Sequence, residues 1–143
     1  MIQKTDMMKA TMILMMAAML QVACMCHGDK RIVEPKGGDA HMVLMEREYD
    51  CGQVTDEDGI VEHEFVVAND GGKAFVLLSA RPQCDCTTVD FKPELVEPGY
   101  GTTVKVKLDV REISKGDFYR EVHLTPSCIA EHSTTVSMRG VKL

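Results

Sequence analysis

The sequence lacks tryptophan, and aromatic residues make up only 5% of its 143 residues. A core built from this chain must therefore consist mainly of aliphatic residues and methionine. The sequence also lacks a glycine-rich phosphate loop, a serine–histidine–aspartate order, paired carboxylates in apolar surroundings and a metalloprotease helix motif. These absences argue against the common enzyme classes, so we expect a protein that is not an enzyme and uses no cofactor.

Positive charge is scarce as well. The chain has 16 lysine and arginine residues against 22 aspartate and glutamate residues, which gives a formal net charge of −6. Residues 1–23 contain two lysines and one aspartate, so the remainder carries −7. An acidic domain with no basic stripe and few aromatic side chains repels phosphate backbones, and we expect no nucleic-acid partner.

No apolar run reaches the roughly 20 residues that a membrane-spanning helix needs. Lys4 and Lys9 instead precede a shorter apolar run, 10–20, which is typical of a signal-peptide core. The next residues, Leu-Gln-Val-Ala-Cys at 20–24, resemble the lipobox of bacterial lipoproteins, with Gln21 where leucine is usual. We therefore predict a signal peptide over 1–23 and a lipid anchor on Cys24, with ordinary signal cleavage or a buried N-terminal helix as the alternatives. Lipidation and signal cleavage both predict an exported protein of the cell envelope.

Polar residues, glycine and proline dominate residues 24–40, a composition that favours a flexible tether. From residue 41 onward, apolar and polar residues alternate with a period of two. The clearest example places Val104, Val106, Leu108 and Val110 on one face and charged or polar residues on the other. Turn residues separate such runs, and no amphipathic helical pattern occurs. The spacing predicts an all-β domain over 41–143, an immunoglobulin-like antiparallel β-sandwich of about seven strands.

Several short motifs occur in a specific order along this domain. They are Tyr-Asp-Cys-Gly-Gln-Val (49–54), Glu-Phe-Val-Val-Ala-Asn-Asp-Gly (64–71), Cys-Asp-Cys-Thr (84–87), Pro-Gly (98–99), Gly-Asp-Phe (116–118) and Val-Ser-Met-Arg-Gly-Val (136–141). Together they resemble the bacterial family labelled domain of unknown function 1573, whose members are commonly exported or lipidated proteins of the Bacteroides group. The resemblance covers about 100 residues and implies an immunoglobulin-like fold with a binding or scaffolding role. Cys51, Asp85 and the loop 125–128 depart from the family pattern.

The motif Cys84-Asp85-Cys86 is the main candidate site. In an extended strand its two thiols would lie on one face. Four interpretations remain open: thiols packed as small apolar groups, a disulfide between the two that requires a kink, a disulfide to Cys51 or Cys128, or a soft metal site completed by a histidine. From the order of the strands, we expect Cys51 to be the nearby thiol and Cys128 to lie at the opposite end of the sandwich.

These observations favour an exported interaction or accessory module that binds an unknown protein partner at the cell envelope. The alternative is a thiol-redox or metal-handling envelope protein that uses Cys84 and Cys86.

Overall fold

The computed structural model describes residues 31–128 and 133–143. Nine strands form the domain: β1 (Met42–Leu44), β2 (Glu48–Val54), β3 (Ile60–Asn69), β4 (Phe75–Pro82), β5 (Thr87–Phe91), β6 (Leu95–Val96), β7 (Gly101–Asp109), β8 (Gly116–Pro126) and β9 (Thr134–Lys142). Helix in the described residues is limited to two single 3-10 turns, Asp56–Asp58 and Val110–Glu112. No helix in this part of the chain is long and apolar enough to cross a membrane.

The strands form two sheets that pack as a sandwich, which confirms the predicted fold class. The first sheet has the order β1-β3-β7-β5 and the second the order β2-β9-β8-β4-β6. All paired strands are antiparallel except β2 and β9, which run parallel. The segment 42–51 is divided between the sheets. Its first part pairs with β3 and its second part crosses over to the final strand β9, and this crossing produces the parallel pair.

The core lies between the sheets and consists almost entirely of aliphatic residues. Val104, Val106, Leu108 and Val110 of β7 and the following turn are at most 1% exposed, as the alternation predicts. Inward residues of the facing sheet close the core: Phe118, Val122 and Leu124 from β8, and Val136 and Met138 from β9. At about 25 cal/mol for each Å² removed from water, such burial supplies the main stabilising term of the fold.

Strand β4 is formed by an apolar run, 74–80, yet it buries only one of its two faces. Leu77 is fully buried, whereas its neighbour Leu78 is 59% exposed. Among the described residues, only the two-residue strand β6 lies beyond β4 in its sheet. The apolar run therefore supplies one core face and one exposed leucine.

The domain begins before residue 41. Residues 31–143 form one compact unit, because part of the expected tether is hydrogen-bonded to the sandwich. The backbone N–H groups of Ile32 and Val33 donate to the Gly99 carbonyl, at 2.8 and 3.3 Å, and the Lys36 N–H donates to the Asp70 carbonyl at 2.7 Å. The predicted signal peptide, the lipidation site Cys24 and the tether residues 24–30 lie outside the described residues.

Candidate functional site

The Cys84–Cys86 motif lies in the tight turn where the chain passes from β4 in the second sheet to β5 in the first. Hydrogen bonds hold this turn on both sides. The Gln83 N–H donates to the Glu121 carbonyl of β8 at 3.1 Å, and the Asp109 N–H of β7 donates to the Cys86 carbonyl at 2.9 Å. Within the turn, the Thr87 N–H donates to the Cys84 carbonyl at 3.2 Å. The motif therefore closes one end of the sandwich.

Cys84 and Cys86 are joined by a disulfide. In flat strand the Cα atoms of residues two apart lie near the upper limit for a disulfide, so this alternative was expected to require a kink. The turn between β4 and β5 supplies the kink. The turn shortens the Cα–Cα distance to 5.3 Å, within the usual range, so the bond needs no further distortion of either strand.

The inward side of the disulfide meets a cation that the sequence analysis did not select. Arg120 of β8 donates from Nε to the Cys86 sulfur at 3.4 Å. The Thr87 hydroxyl lies 3.4 Å from the Cys84 sulfur and 3.8 Å from the Cys86 sulfur. Arg120 belongs to the second sheet and Thr87 to the first, so the contacts of the disulfide join the two sheets.

Cys51 is not beside the pair. It lies on β2, and β9 and β8 separate it from β4; three steps between adjacent strands amount to about 14 Å. Cys51 is a half-buried thiol outside any disulfide. Burial raises its pKa to about 11, and the neighbouring carboxylate of Asp50 adds to the effect. This thiol is therefore protonated and unreactive at neutral pH.

Cys128 lies at the other end of β4 from the disulfide. It follows the end of β8, where the Ser127 N–H donates to the Val76 carbonyl at 2.8 Å. The β4 strand runs from Phe75 to Pro82, so its length separates Cys128 from Cys84 and Cys86. Because these two are bonded to each other, neither is available to Cys51 or Cys128.

The structure offers little support for a metal site. A disulfide presents no thiolate ligand, and the described residues contain no group of three or more histidine, cysteine or acidic side chains that could hold a metal ion. His63 lies at an inward position of β3, and its ring makes contacts with other side chains. Its ring stacks on Tyr49 at 3.8 Å between centroids, meets Phe65 edge-on at 4.7 Å, and hydrogen-bonds Glu46 at 2.8 Å. His63 is thus a satisfied residue at the rim of the core.

A second feature lies on the outer face of the sheet β2-β9-β8-β4-β6. A shallow depression of about 530 Å³ is lined by residues of β2, β8 and β9, among them Tyr119, Arg139 and Val141. Tyr119 is 50% exposed and Val141 36% exposed. Arg139 pairs with two carboxylates of β2: its Nε lies 2.9 Å from Glu48 and its Nη2 3.2 Å from Asp50. We refer to this feature as the Tyr119 face.

A family model described as "Protein of unknown function (DUF1573)" matches residues 42–141. The chain therefore belongs to this family, as the ordered motifs predicted. No curated protein matches the sequence significantly.

Solved structures with the same fold come from bacteria and animals. A protein of unknown function from Porphyromonas gingivalis W83 superposes with a TM-score of 0.62 at 14% identity over 77% of this chain and 49% of its own. The chain thus spans about half the length of that protein. The PapD-like domain 7 of human CEP192 gives 0.53 at 14% identity over 80% of this chain and 95% of its own.

The protease VesB of Vibrio cholerae also contains a similar region. It superposes with a TM-score of 0.54 at 14% identity, over 73% of this chain but only 32% of its own length. At such identities these likenesses show the fold alone. They agree with an immunoglobulin-like β-sandwich.

Proposed function

We propose that this protein is an exported, lipid-anchored immunoglobulin-like module that binds a protein partner at the cell envelope and has no catalytic activity of its own. The observation that carries this proposal is the Tyr119 face. It is the place where an exposed aromatic ring, an ordered arginine and a concave surface coincide.

The side chains of this face suit protein recognition. Tyrosine and arginine are enriched among the residues that dominate binding energy at protein interfaces. The two carboxylates on β2 hold the Arg139 guanidinium, so less conformational freedom is lost when a partner contacts it. Val141 supplies an apolar contact beside Tyr119.

The charge of the face indicates the chemistry of the partner. Glu48 and Asp50 pair with Arg139, and Asp117 lines the same depression, so carboxylates outnumber guanidinium groups among these residues. A partner segment with basic and apolar side chains complements this face. Such electrostatic complementarity affects mainly the association rate and weakens with salt.

Binding through this face is favoured over strand addition at a sheet edge. Strand addition needs a long, regular edge with unpaired backbone groups. Here the edge strands β1, β5 and β6 have only three, five and two residues. Edge strand β2 is interrupted by a bulge between Asp50 and Gln53. Short, bulged and charged edges are features that prevent edge pairing.

Site-specific photo-crosslinking in the native envelope tests the partner proposal. A crosslinking residue in place of Val141 should give a discrete protein adduct that weakens at high salt and disappears in the Tyr119→Ala background. The matched control carries the crosslinker at Ile60, which is 52% exposed on the other sheet, and should give no such adduct. Equal adducts at both positions, or an adduct insensitive to Tyr119→Ala, would contradict the proposal.

Anchoring is tested separately, through the cysteine that the lipobox resemblance selects. In the native host, Cys24→Ser should abolish incorporation of a labelled fatty acid and move the protein from the membrane to the soluble fraction, because stable attachment depends on the lipid. Cys26→Ser serves as the matched control and should leave both unchanged. Retention of the Cys24→Ser protein on the membrane would show that another element anchors it.

A further inference from the structure

The disulfide at the Cys84–Cys86 turn is poorly placed to serve as a structural staple. It joins residues two apart in sequence, and a disulfide restricts the unfolded chain less as the loop that it closes becomes shorter. The turn is also held by backbone hydrogen bonds from Gln83 and Asp109 to the neighbouring strands and by one from Thr87 within the turn. Reduction therefore leaves the turn anchored, with both sulfurs positioned to re-form the bond.

The two sulfurs are not equivalent. Cys86 packs against the hydrophobic core and receives the Arg120 Nε–H at 3.4 Å. Cys84 is not among the residues that pack on this core, and the Thr87 hydroxyl is its nearest polar contact, at 3.4 Å. Packing on the core disfavours a thiolate, whereas a guanidinium 3.4 Å from the sulfur stabilises it, and this contact is the one that Cys84 lacks. In thiol–disulfide exchange, the sulfur whose thiolate is more stable is the better leaving group.

We propose that the Cys84–Cys86 disulfide is a thiol–disulfide exchange site that accepts two electrons from a dithiol, with Cys84 as the attacked sulfur and Cys86 as the leaving group. One thiolate of the dithiol attacks the Cys84 sulfur and forms a mixed disulfide. The Cys84–Cys86 bond breaks, and its electron pair leaves on Cys86 as a thiolate that Arg120 stabilises.

The second thiolate of the dithiol then attacks the first sulfur of the same dithiol, which is bonded to Cys84 in the mixed disulfide. The bond to Cys84 breaks, and the released Cys84 thiolate takes a proton from solvent. The dithiol is oxidised to a disulfide, and the protein gains two electrons. This activity goes beyond partner binding and does not depend on the Tyr119 face, which lies on the outer side of its sheet.

The order of attack is tested on the full wild-type protein with glutathione as the probe. After brief exposure, acid quenching and alkylation, peptide mass mapping should find glutathione mainly on Cys84 and the alkyl group mainly on Cys86. Near-UV circular dichroism should show that the protein stays folded during reduction. Glutathione mainly on Cys86, or reduction only after unfolding, would overturn the proposal.

The role of Arg120 is tested by comparison with a second arginine. Arg120→Gln should lower the equilibrium constant for reduction by dithiothreitol about tenfold, equal to about 30 mV. Arg81→Gln removes the same charge from an exposed position on β4 and should change it less than about twofold. Arg120→Lys should retain much of the effect. Equal shifts in the Arg120→Gln and Arg81→Gln proteins would refute the role of Arg120.

The source of the dithiol is distinguished by comparing dithiothreitol with reduced thioredoxin at equal dithiol concentration. Reduction of the folded protein by either reagent supports exchange. Faster reduction by dithiothreitol indicates a small dithiol, and faster reduction by thioredoxin indicates a protein dithiol. If Arg120→Gln does not fold, the wild-type mapping still decides which sulfur is attacked. If neither reagent reduces the folded protein, the proposal is wrong, whatever the crosslinking at the Tyr119 face shows.

Discussion

Asn69 makes the most specific polar contacts in the interior of the sandwich. It ends β3, is fully buried, and uses its whole side-chain amide. Nδ2 donates to the Lys73 carbonyl at 2.8 Å and to the Val96 carbonyl at 2.9 Å, while Oδ1 accepts the Gly71 N–H at 3.0 Å. These bonds fix the turn between the sheets and hold β6 against it. We predict that Asn69→Asp strongly destabilises the domain although it barely changes the shape of the side chain.

The size of the effect follows from the two donor bonds. The substitution replaces the NH₂ group by an oxygen, so the buried Val96 carbonyl and the partly buried Lys73 carbonyl lose their donor and face negative charge. An unsatisfied buried group costs about 1–3 kcal/mol, and the partly buried carbonyl adds less because water can reach it, so the two together cost at most about 6 kcal/mol. A domain of this size is typically stable by about 5–15 kcal/mol. The variant should therefore lose a large share of its free energy of unfolding.

The loss should also depend on pH. A protonated carboxyl supplies one O–H donor, so folding raises the pKa of the introduced group above its unfolded value of about 4. The destabilisation relative to wild type should consequently grow as pH rises through the unfolded pKa and level off above the folded pKa. Acidification should narrow the gap between the two proteins.

Urea denaturation of the domain at pH 7 and pH 5, followed by circular dichroism, measures this gap. Gln53→Glu makes the same amide-to-acid exchange at an exposed position of β2 and should cost less than about 0.5 kcal/mol. If Asn69→Asp costs less than 1 kcal/mol at pH 7, or no more than Gln53→Glu, then the amide bonds do not carry the stability assigned to them.

Two further substitutions test the core and the charge cluster near residue 40. Leu108→Asp places an unpaired charge at a fully buried position of β7 and should lower the free energy of unfolding by several kcal/mol. Thr103→Asp, on the exposed face of β7, should lower it by about 0.5 kcal/mol or less. Similar melting temperatures of the two variants would mean that the buried face is misassigned. Hydrogen bonds from Lys36 and His41 lower the pKa of the buried Asp70 carboxyl, so Asp70→Asn should cost about 1–2 kcal/mol at pH 7. A carboxyl whose pKa is lower in the folded protein stabilises it above the unfolded pKa near 4, and this stabilisation is lost as pH falls. The difference in free energy of unfolding between wild type and Asp70→Asn should therefore disappear in acid. A difference that does not change with pH would show that Asp70 ionisation does not contribute to stability.

Much of the sandwich could be predicted from the sequence because one face of each long strand is buried. Period-two alternation then leaves a readable pattern, and the inward residues of β7 were identified correctly. The crossing of 42–51 between the sheets could not be read in this way. Alternation shows which side of a strand is buried but not which sheet the strand joins. Strand β6 was also missed, because two residues carry no periodicity.

The hydrogen bonding of residues 31–40 to the sandwich could not be predicted from the sequence for a related reason. Residues 31–40 are rich in glycine and charge, which is typical of a tether. They are ordered by backbone bonds to Gly99 and Asp70 and by the Lys73–Asp39 ion pair at 2.6 Å. Backbone hydrogen bonds to distant residues leave no compositional signal, so only the folded structure reveals them.

The candidate site shows the same division between local and tertiary information. Sequence alone selected Cys84 and Cys86 but assumed an extended backbone, and the turn between the sheets makes the disulfide geometrically easy. Arg120 left a signal that could have been used. It stands at an inward position of β8, between the buried Phe118 and Val122, where a charged side chain needs a buried partner to be tolerated. The same pattern, a cation at an inward strand position facing a cysteine pair, can be sought in other β-sandwiches. A buried cation needs a partner in the folded protein, and it can also stabilise the thiolate that forms when the disulfide is reduced.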